Sequence, residues 1–488
     1  QENSIKSIIA RNTAIQAAGK VISTLLGLFS FALITRYLGL EVFGKYTTII
    51  TFLSFFAVAA DLGLTLVSAQ MISEGKYPEK KIIANLFAFR LVSILATFAF
   101  LPFITMLSPY SAEIKEGIFI AAISFIFPAL NQVLVGLLQN RLRMDYDVLG
   151  EIIGRFALIG GIIISQKLNS GLNGIIIATV IAAAINFFIH LLTCWRFSPI
   201  NLEYDKNIWR LIASRSWPIA ITTILNLIYL RADTLALSLF RGDKEVGLYG
   251  ASYRVIDVLT TLPFMFAGLM LPIMSRAINE NRLEYFKRLL QKSLDLMFVA
   301  SLPLLVGTYF LGKDVMVIIA GEDFYSVPGQ ESAITAAVVL QLLMFAVFFV
   351  FIGTILSHAV IALGKQKKTI PFYIFTSLSS LLAYFWLIPR FSYWAAAGIT
   401  IYSEALIAIF NGLCVYKTIG GGWRPERWLK TAAASIAMGL LLFFWPFKTD
   451  NLLGLGSAIS IASLAYFILL MISGAVKKEE LKEIINSK

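Results

Sequence analysis

The sequence predicts an all-α integral membrane protein of about fourteen transmembrane helices. Two six-helix lobes would be related by a pseudo-twofold axis along the membrane normal, with two more helices at the C-terminus. Three observations lead there. The 488 residues are 58% hydrophobic and only 14% charged, with mean hydropathy +0.79. A soluble domain would be roughly 45–50% apolar and about 25% charged. Apolar runs of the roughly 20 residues needed to span a bilayer recur along the whole chain. Finally, Gly39-x4-Gly44-x-Tyr46 returns as Gly242-x4-Gly247-x-Tyr249, an offset of about 203 residues that maps the first span onto the seventh.

The first six spans read as Asn12–Thr35, Tyr46–Gln70, Ile82–Leu107, Gly117–Gln139, Val148–Ser165 and Leu172–Trp195. A polar stretch, Arg196–Asn207, separates them from the next six. Those are Leu211–Leu235, Gly247–Met274, Phe286–Leu311, Ile334–Ala362, Thr369–Ile388 and Ala395–Tyr416. After Gly420-Gly421-Gly422 come Trp428–Phe447 and Leu452–Ser473, then a charged tail, Lys477–Lys488. The lobes are therefore placed at 1–206 and 207–418, with the added pair at 419–488. Arg11 and Asn12 open the first span without a small-residue cleavage site, so that helix is expected to stay as an anchor.

Loop charge sets the topology, because short Lys/Arg-rich loops stay in the cytoplasm. Loops leaving even-numbered spans, with the two termini, hold about 27 Lys and Arg, and loops leaving odd-numbered spans about 9. Both termini are thus expected in the cytoplasm. The net charge of +12 is read as this asymmetry rather than as a nucleic-acid surface. Six spans per lobe bring both lobes into the membrane in the same orientation. The loops on the outer side are short, the longest being Lys313–Ser332, which leaves no room for an extramembrane catalytic domain. Cys194 and Cys414 lie in or at the end of apolar spans, so no disulfide framework is expected. Two histidines, His190 and His358, cannot build a multi-His metal centre.

Charges inside apolar helices are costly unless they meet protein or water, so they nominate a pathway for something polar. Span 1 carries Asn12, Gln16, Lys20, Ser23, Gly27 and Ser30 at helical steps along one face. The repeat offset maps that face onto Arg215, Thr223, Asn226 and Asp233 in span 7. Span 2 carries Asp61 and Thr65, and span 8 carries Tyr249, Tyr253, Arg254 and Asp257. Spans 1, 2, 7 and 8 are expected to wall a common hydrated cavity. Further intramembrane charges are Arg90, Glu151, Arg155, Asp295 and Glu404. Two readings stay open for several of them. Ser and Gly positions also serve as polar packing between helices. Glu151 and Arg155, spaced i,i+4, can satisfy each other. Arg231, Asp233 and Asp295 lie near span ends and can snorkel to water. Unpaired Lys and Arg attract an anion such as a phosphate, and a nearby carboxylate can exchange a proton or bind Na⁺.

Two stretches resemble a known signature. Arg36-Tyr37-Leu38-Gly39-x3-Phe43-Gly44-x-Tyr46 is similar to that of the Wzx-like polysaccharide (O-antigen) flippases of the multidrug/oligosaccharidyl-lipid/polysaccharide exporter superfamily. So is Leu230-Arg231-Ala232-Asp233 followed by Val246-Gly247-Leu248-Tyr249-x3-Tyr253-Arg254. The resemblance covers the six-plus-six-plus-two layout of essentially the whole chain. It implies a central cationic cavity opening alternately to each side. It also implies a substrate in which pyrophosphate links an oligosaccharide to a polyprenyl lipid, moved from the inner to the outer leaflet. Arg11, Lys20, Arg90, Arg155, Arg231 and Arg254, with Asn226 and Tyr253, become candidates for substrate binding. Asp61, Asp233, Asp257 and Glu404 become candidates for coupling to H⁺ or Na⁺, with no other cofactor. Expected partners are the lipid-linked oligosaccharide, membrane lipids, and the glycan polymerase and glycosyltransferases of the same pathway; a monomer is expected. Alternatives are a peptidoglycan-precursor flippase and a cation-coupled multidrug antiporter. A membrane polysaccharide polymerase fits less well, because it would present catalytic residues on a sizeable outer loop.

Overall fold

The structure is a computed structural model that describes residues 2–74, 76–197, 201–325, 335–421 and 423–475. The side chains of Arg11 and Asn226, and residues 326–334 and 476–488, lie outside the described residues. Among those described there is no strand. The helices are α1 (Glu2–Asp61), α2 (Leu64–Glu74), α3 (Glu79–Ala99), α4 (Leu101–Leu107), α5 (Ala112–Asn140), α6 (Met144–Lys167) and α7 (Gly171–Trp195). They continue with α8 (Lys206–Phe240), α9 (Asp243–Asn279), α10 (Leu283–Ala320), α11 (Ala336–Ala362), α12 (Gln366–Ile419), α13 (Glu426–Phe443) and α14 (Leu452–Ile472).

Ten of the described helices are long and apolar enough to cross a membrane. Two of these, α1 and α12, hold two spans each, folded at Gly39 (φ 69°, ψ 175°) and Ser392 (φ 53°, ψ −137°). Helices α8 and α13 are not among these ten and correspond to the seventh and thirteenth of the expected spans. The multi-pass architecture follows directly: Leu25, Phe103, Leu107, Leu382 and Leu453 stand more than half exposed on these helices, a surface suited to lipid and not to water.

Several spans are longer and their connections tighter than hydropathy suggests. The expected turn after span 1 is a single kink, because Gly39 occupies a backbone region that a Cβ all but forbids. The connection expected between the spans ending at Leu235 and starting at Gly247 shrinks to Arg241-Gly242. The helix of span 9 runs on to Ala320, through the apolar Val315–Ala320, instead of ending at Leu311. Span 2 breaks at Leu62-Gly63, where the Asp61 carboxylate accepts the Gly63 N–H at 3.1 Å and the Thr65 hydroxyl at 2.5 Å.

The chain divides into two compact units, 1–247 and 248–488. In the first, a core of Leu64, Ile83, Leu86, Leu134, Leu137 and Ile212 joins α2, α3, α5 and α8. Helix α8, which the repeat assigns to the second lobe, packs here against α1, α2 and α3. Its start is capped by Asp205, whose Oδ1 accepts the N–H groups of Asn207 and Ile208. The Lys81 ammonium, 2.6 Å away, and those N–H groups hold the Asp205 carboxyl below the usual carboxylate range. In the second unit, Met438, Leu442, Leu455, Ala458 and Leu470 pack the last two helices onto Leu311 of α10. The Tyr466 hydroxyl donates to the Val299 carbonyl at 2.8 Å and fixes their depth.

The sequence repeat has a physical counterpart inside the first unit. A Cβ on Gly44 would fall on the backbone oxygen of Asp243, and one on Gly247 on the backbone oxygen of Leu40. Leu40 and Gly44 stand at the same repeat positions as Asp243 and Gly247, so the contact is reciprocal. Only a residue without Cβ lets two backbones approach so closely.

Candidate functional site

In the first unit, α1 and α6 come together where Gly19 lies against Val148. That approach sets Lys20 and Ser23 opposite Glu151 and Arg155. Glu151 Oε1 accepts the Ser23 hydroxyl at 2.6 Å and lies 4.0 Å from Lys20 Nζ and 3.9 Å from Arg155 Nη2. Arg155 Nε donates to Ser23 Oγ at 3.4 Å. The pair within α6 therefore forms, but it is shared with a second cation from α1. One carboxylate faces two cations within membrane-spanning helices. The Lys20 and Arg155 side chains stay 49% and 32% exposed, so both can turn to an incoming anion.

Arg90 is placed differently. Its side chain is 3% exposed, and its Nη1 lies 2.6 Å from Asp61 Oδ1. Nε donates to the Ala129 carbonyl at 2.9 Å, and Nη2 reaches Thr65 Oγ1 at 3.4 Å. This guanidinium clamps α1, α2, α3 and α5 around the break after Asp61, and the two candidates, one cationic and one acidic, are each other's partner.

In α8, Asp233 is fully buried and accepts the N–H of Thr234 at 2.5 Å and its hydroxyl at 3.2 Å; Arg231 is half-buried. In the second unit, Tyr253 is buried with its ring 5.3 Å from that of Tyr249, whose hydroxyl lies 3.4 Å from Thr400 Oγ1. Arg254 and Asp257 are half-buried. Among the described residues, Arg254 meets no hydrogen-bond or ion-pair partner, and neither does Glu404, a carboxylate 6% exposed on the second arm of α12. The neighbours of Glu404 along that arm include Thr400 and Ser403, both buried.

One buried network was not anticipated from sequence. His190, 1% exposed, places Nε2 3.1 Å from Asp147 Oδ1 and Nδ1 2.8 Å from the Asn186 carbonyl, with Asn131 alongside. Gly150 gives the ring its space. The i,i+4 spacing of Asn186 and His190 was legible; Asp147, on another helix, was not. Among the described residues no group of three His, Cys, Asp or Glu could hold a metal ion.

Comparisons with known proteins agree with this architecture. The family model for MatE proteins matches residues 218–386. A Shigella flexneri protein named "Putative O-antigen transporter" is 26% identical over 377 residues, 74% of this chain and 86% of its own length. A Haloferax volcanii protein named "Probable flippase AglR" is 23% identical over 82% of each chain. A solved structure, "Lipid II flippase MurJ, inward closed conformation", superposes with a TM-score of 0.76 at 16% identity, over 94% of this chain and 98% of that one. That match carries the two-lobe fold. The family model described as "Polysaccharide biosynthesis protein" matches residues 9–278, more than half of the chain. The chain belongs to this polysaccharide biosynthesis protein family.

Proposed function

We propose that this protein is a flippase for a polyprenyl-pyrophosphate-linked oligosaccharide, carrying it from the cytoplasmic to the outer leaflet by alternating access. It would reside in the cell's inner (cytoplasmic) membrane with both termini in the cytoplasm, where the Lys- and Arg-rich loops would also lie. The observation that carries the reading is the Lys20–Glu151–Arg155 cluster: two cations on one carboxylate, in helices otherwise built for lipid. Such a surplus suits a pyrophosphate, which takes charge-assisted hydrogen bonds from Arg in a fork and from Lys as a point charge. Arg254, in the second unit, is a further candidate contact for an anion. Arg231, Arg11, Asn226 and Tyr253 complete the proposed binding set, and Arg90 would hold the helices that present it. A drug antiporter with cationic substrates would be poorly matched to this charge balance.

Glu404 would couple transport to a gradient, since a buried carboxylate lacking a protein partner favours taking up a proton or Na⁺. Asp61, Asp233 and Asp257 are the further acidic candidates. Partners in the pathway would be the enzymes that build and polymerise the glycan.

Reconstitution tests this. Vesicles holding the purified chain should move labelled lipid-linked sugar across the bilayer with its covalent structure unchanged. Lys20→Ala and Arg155→Ala should each slow movement about tenfold or more, the worth of one charged hydrogen bond, while insertion is unaffected. Wild-type rates in both variants would remove the cluster from the proposal, and cleaved or lengthened sugar would indicate an enzyme. Glu404→Gln should abolish the response to an imposed H⁺ or Na⁺ gradient, and whichever gradient drives the wild type names the ion.

A further inference from the structure

The two arms of α12 fold back at Ser392 and leave a groove along one face of the hairpin. At the end where the arms start and finish, it opens into a cavity of about 590 Å³. Lys365 and Lys368 line it from the first arm and Lys417 from the last turn of the second. Among the described residues none of the three lysines has a carboxylate within ion-pair distance. The wall below them is apolar. Phe372 and Phe410 stack at 4.4 Å with their planes 20° apart, and Leu413 stands 50% exposed beside them. Further along the same face, past the Tyr402–Ser379 hydrogen bond, a second hollow of about 570 Å³ has no charged residue in its lining among those described.

We infer that this groove is a binding site for an anionic phospholipid of the bilayer, distinct from the transported substrate. Its phosphodiester would sit among Lys365, Lys368 and Lys417, and an acyl chain would run over Phe372, Phe410 and Leu413 toward the uncharged hollow. Three observations support this occupant. Cations from both arms converge at one end of the hairpin onto one concavity instead of spreading outward. They stand at helix termini, the depth at which a lipid phosphate lies, and basic pockets between membrane helices bind such headgroups. The exposed apolar wall directly beneath gives a hydrocarbon chain something to cover, whereas an inorganic phosphate would leave it bare.

The test measures binding to the full-length chain in detergent, without transport substrate, so its outcome is independent of the flippase reading. Short-chain phosphatidylglycerol, phosphatidylcholine and inorganic phosphate are titrated, and bound lipid is counted by native mass spectrometry alongside Tm. Phosphatidylglycerol should bind and raise Tm, and the other two should not. K365Q/K368Q/K417Q should weaken phosphatidylglycerol about a hundredfold, three lysines at the usual worth of each near a lipid surface. Should that variant fail to insert, each single Lys→Gln change should weaken binding about fivefold. A control of equal charge loss on α9 and α10, R276Q/R288Q/K292Q, should leave affinity unchanged. Equal binding of phosphatidylcholine, unchanged affinity in the triple variant, equal loss in the control, or equal stabilisation by inorganic phosphate would each overturn the site.

Discussion

Arg90 illustrates how a charge is kept inside an apolar helix: every contact it makes is with protein, and its counter-charge stands on a different helix. Removing one member of such a pair strands the other. Arg90→Ala should therefore destabilise the folded protein by about 3 kcal/mol, seen as a lower Tm in detergent. Asp61→Ala in addition should recover at least half of that, and a double variant no better than Arg90→Ala would show that the guanidinium acts through packing alone. Lys20 and Arg155 stand at the opposite extreme, partly exposed and competing for one carboxylate. The sequence made these charges visible, because each interrupts a long apolar run. It made the Glu151–Arg155 pair visible too, since i,i+4 spacing is a property of one helix. That Asp61 belongs to Arg90, or Asp147 to His190, was hidden, because those pairs join residues on helices whose neighbours are chosen by packing.

At the scale of elements, the two copies of the glycine motif are equivalent in sequence and unequal in backbone. Gly39 adopts φ 69°, whereas Gly242 has no positive φ and open space around its Cβ position. Gly39→Ala should cost about 1–3 kcal/mol, while Gly242→Ala should stay within about 0.5 kcal/mol; equal losses in thermal unfolding would contradict the kink. Gly44→Ala and Gly247→Ala press on backbone oxygens, so each should lower Tm more than Gly242→Ala does. The start of α8 has its own pH dependence. The Asp205 carboxyl lies below its ordinary value because of Lys81 and the helix N–H groups. A depressed carboxylate stabilises above its unfolded pKa and loses that contribution as pH falls through the folded one. The protection of the Asn207 and Ile208 amides against exchange, relative to their intrinsic rates, should therefore fall only below about pH 4, the ordinary carboxylate range, and Asp205→Asn should remove that step.

Over the whole molecule, the five basic residues left after the loops and termini are counted are Lys20, Arg90, Arg155, Arg231 and Arg254. The other Lys and Arg divide about 27 to about 9 between the two sides, and that asymmetry is why both termini are proposed to be cytoplasmic. In a Cys194→Ala/Cys414→Ala background, Lys448→Cys should react with an impermeant maleimide in intact cells. Lys367→Cys should react only after permeabilisation, and the reverse pattern would invert the topology. The sequence by itself determined the number of crossings, the internal repeat and the intramembrane charges, because hydropathy and helical period are summed over a local window. Only the tertiary structure decided that α8 packs with the first unit, that the expected loop after span 1 is a single kink at Gly39, and which charges neutralise each other. Those outcomes depend on which helix lies beside which, and in a chain whose helices are nearly all apolar, no local pattern encodes that choice.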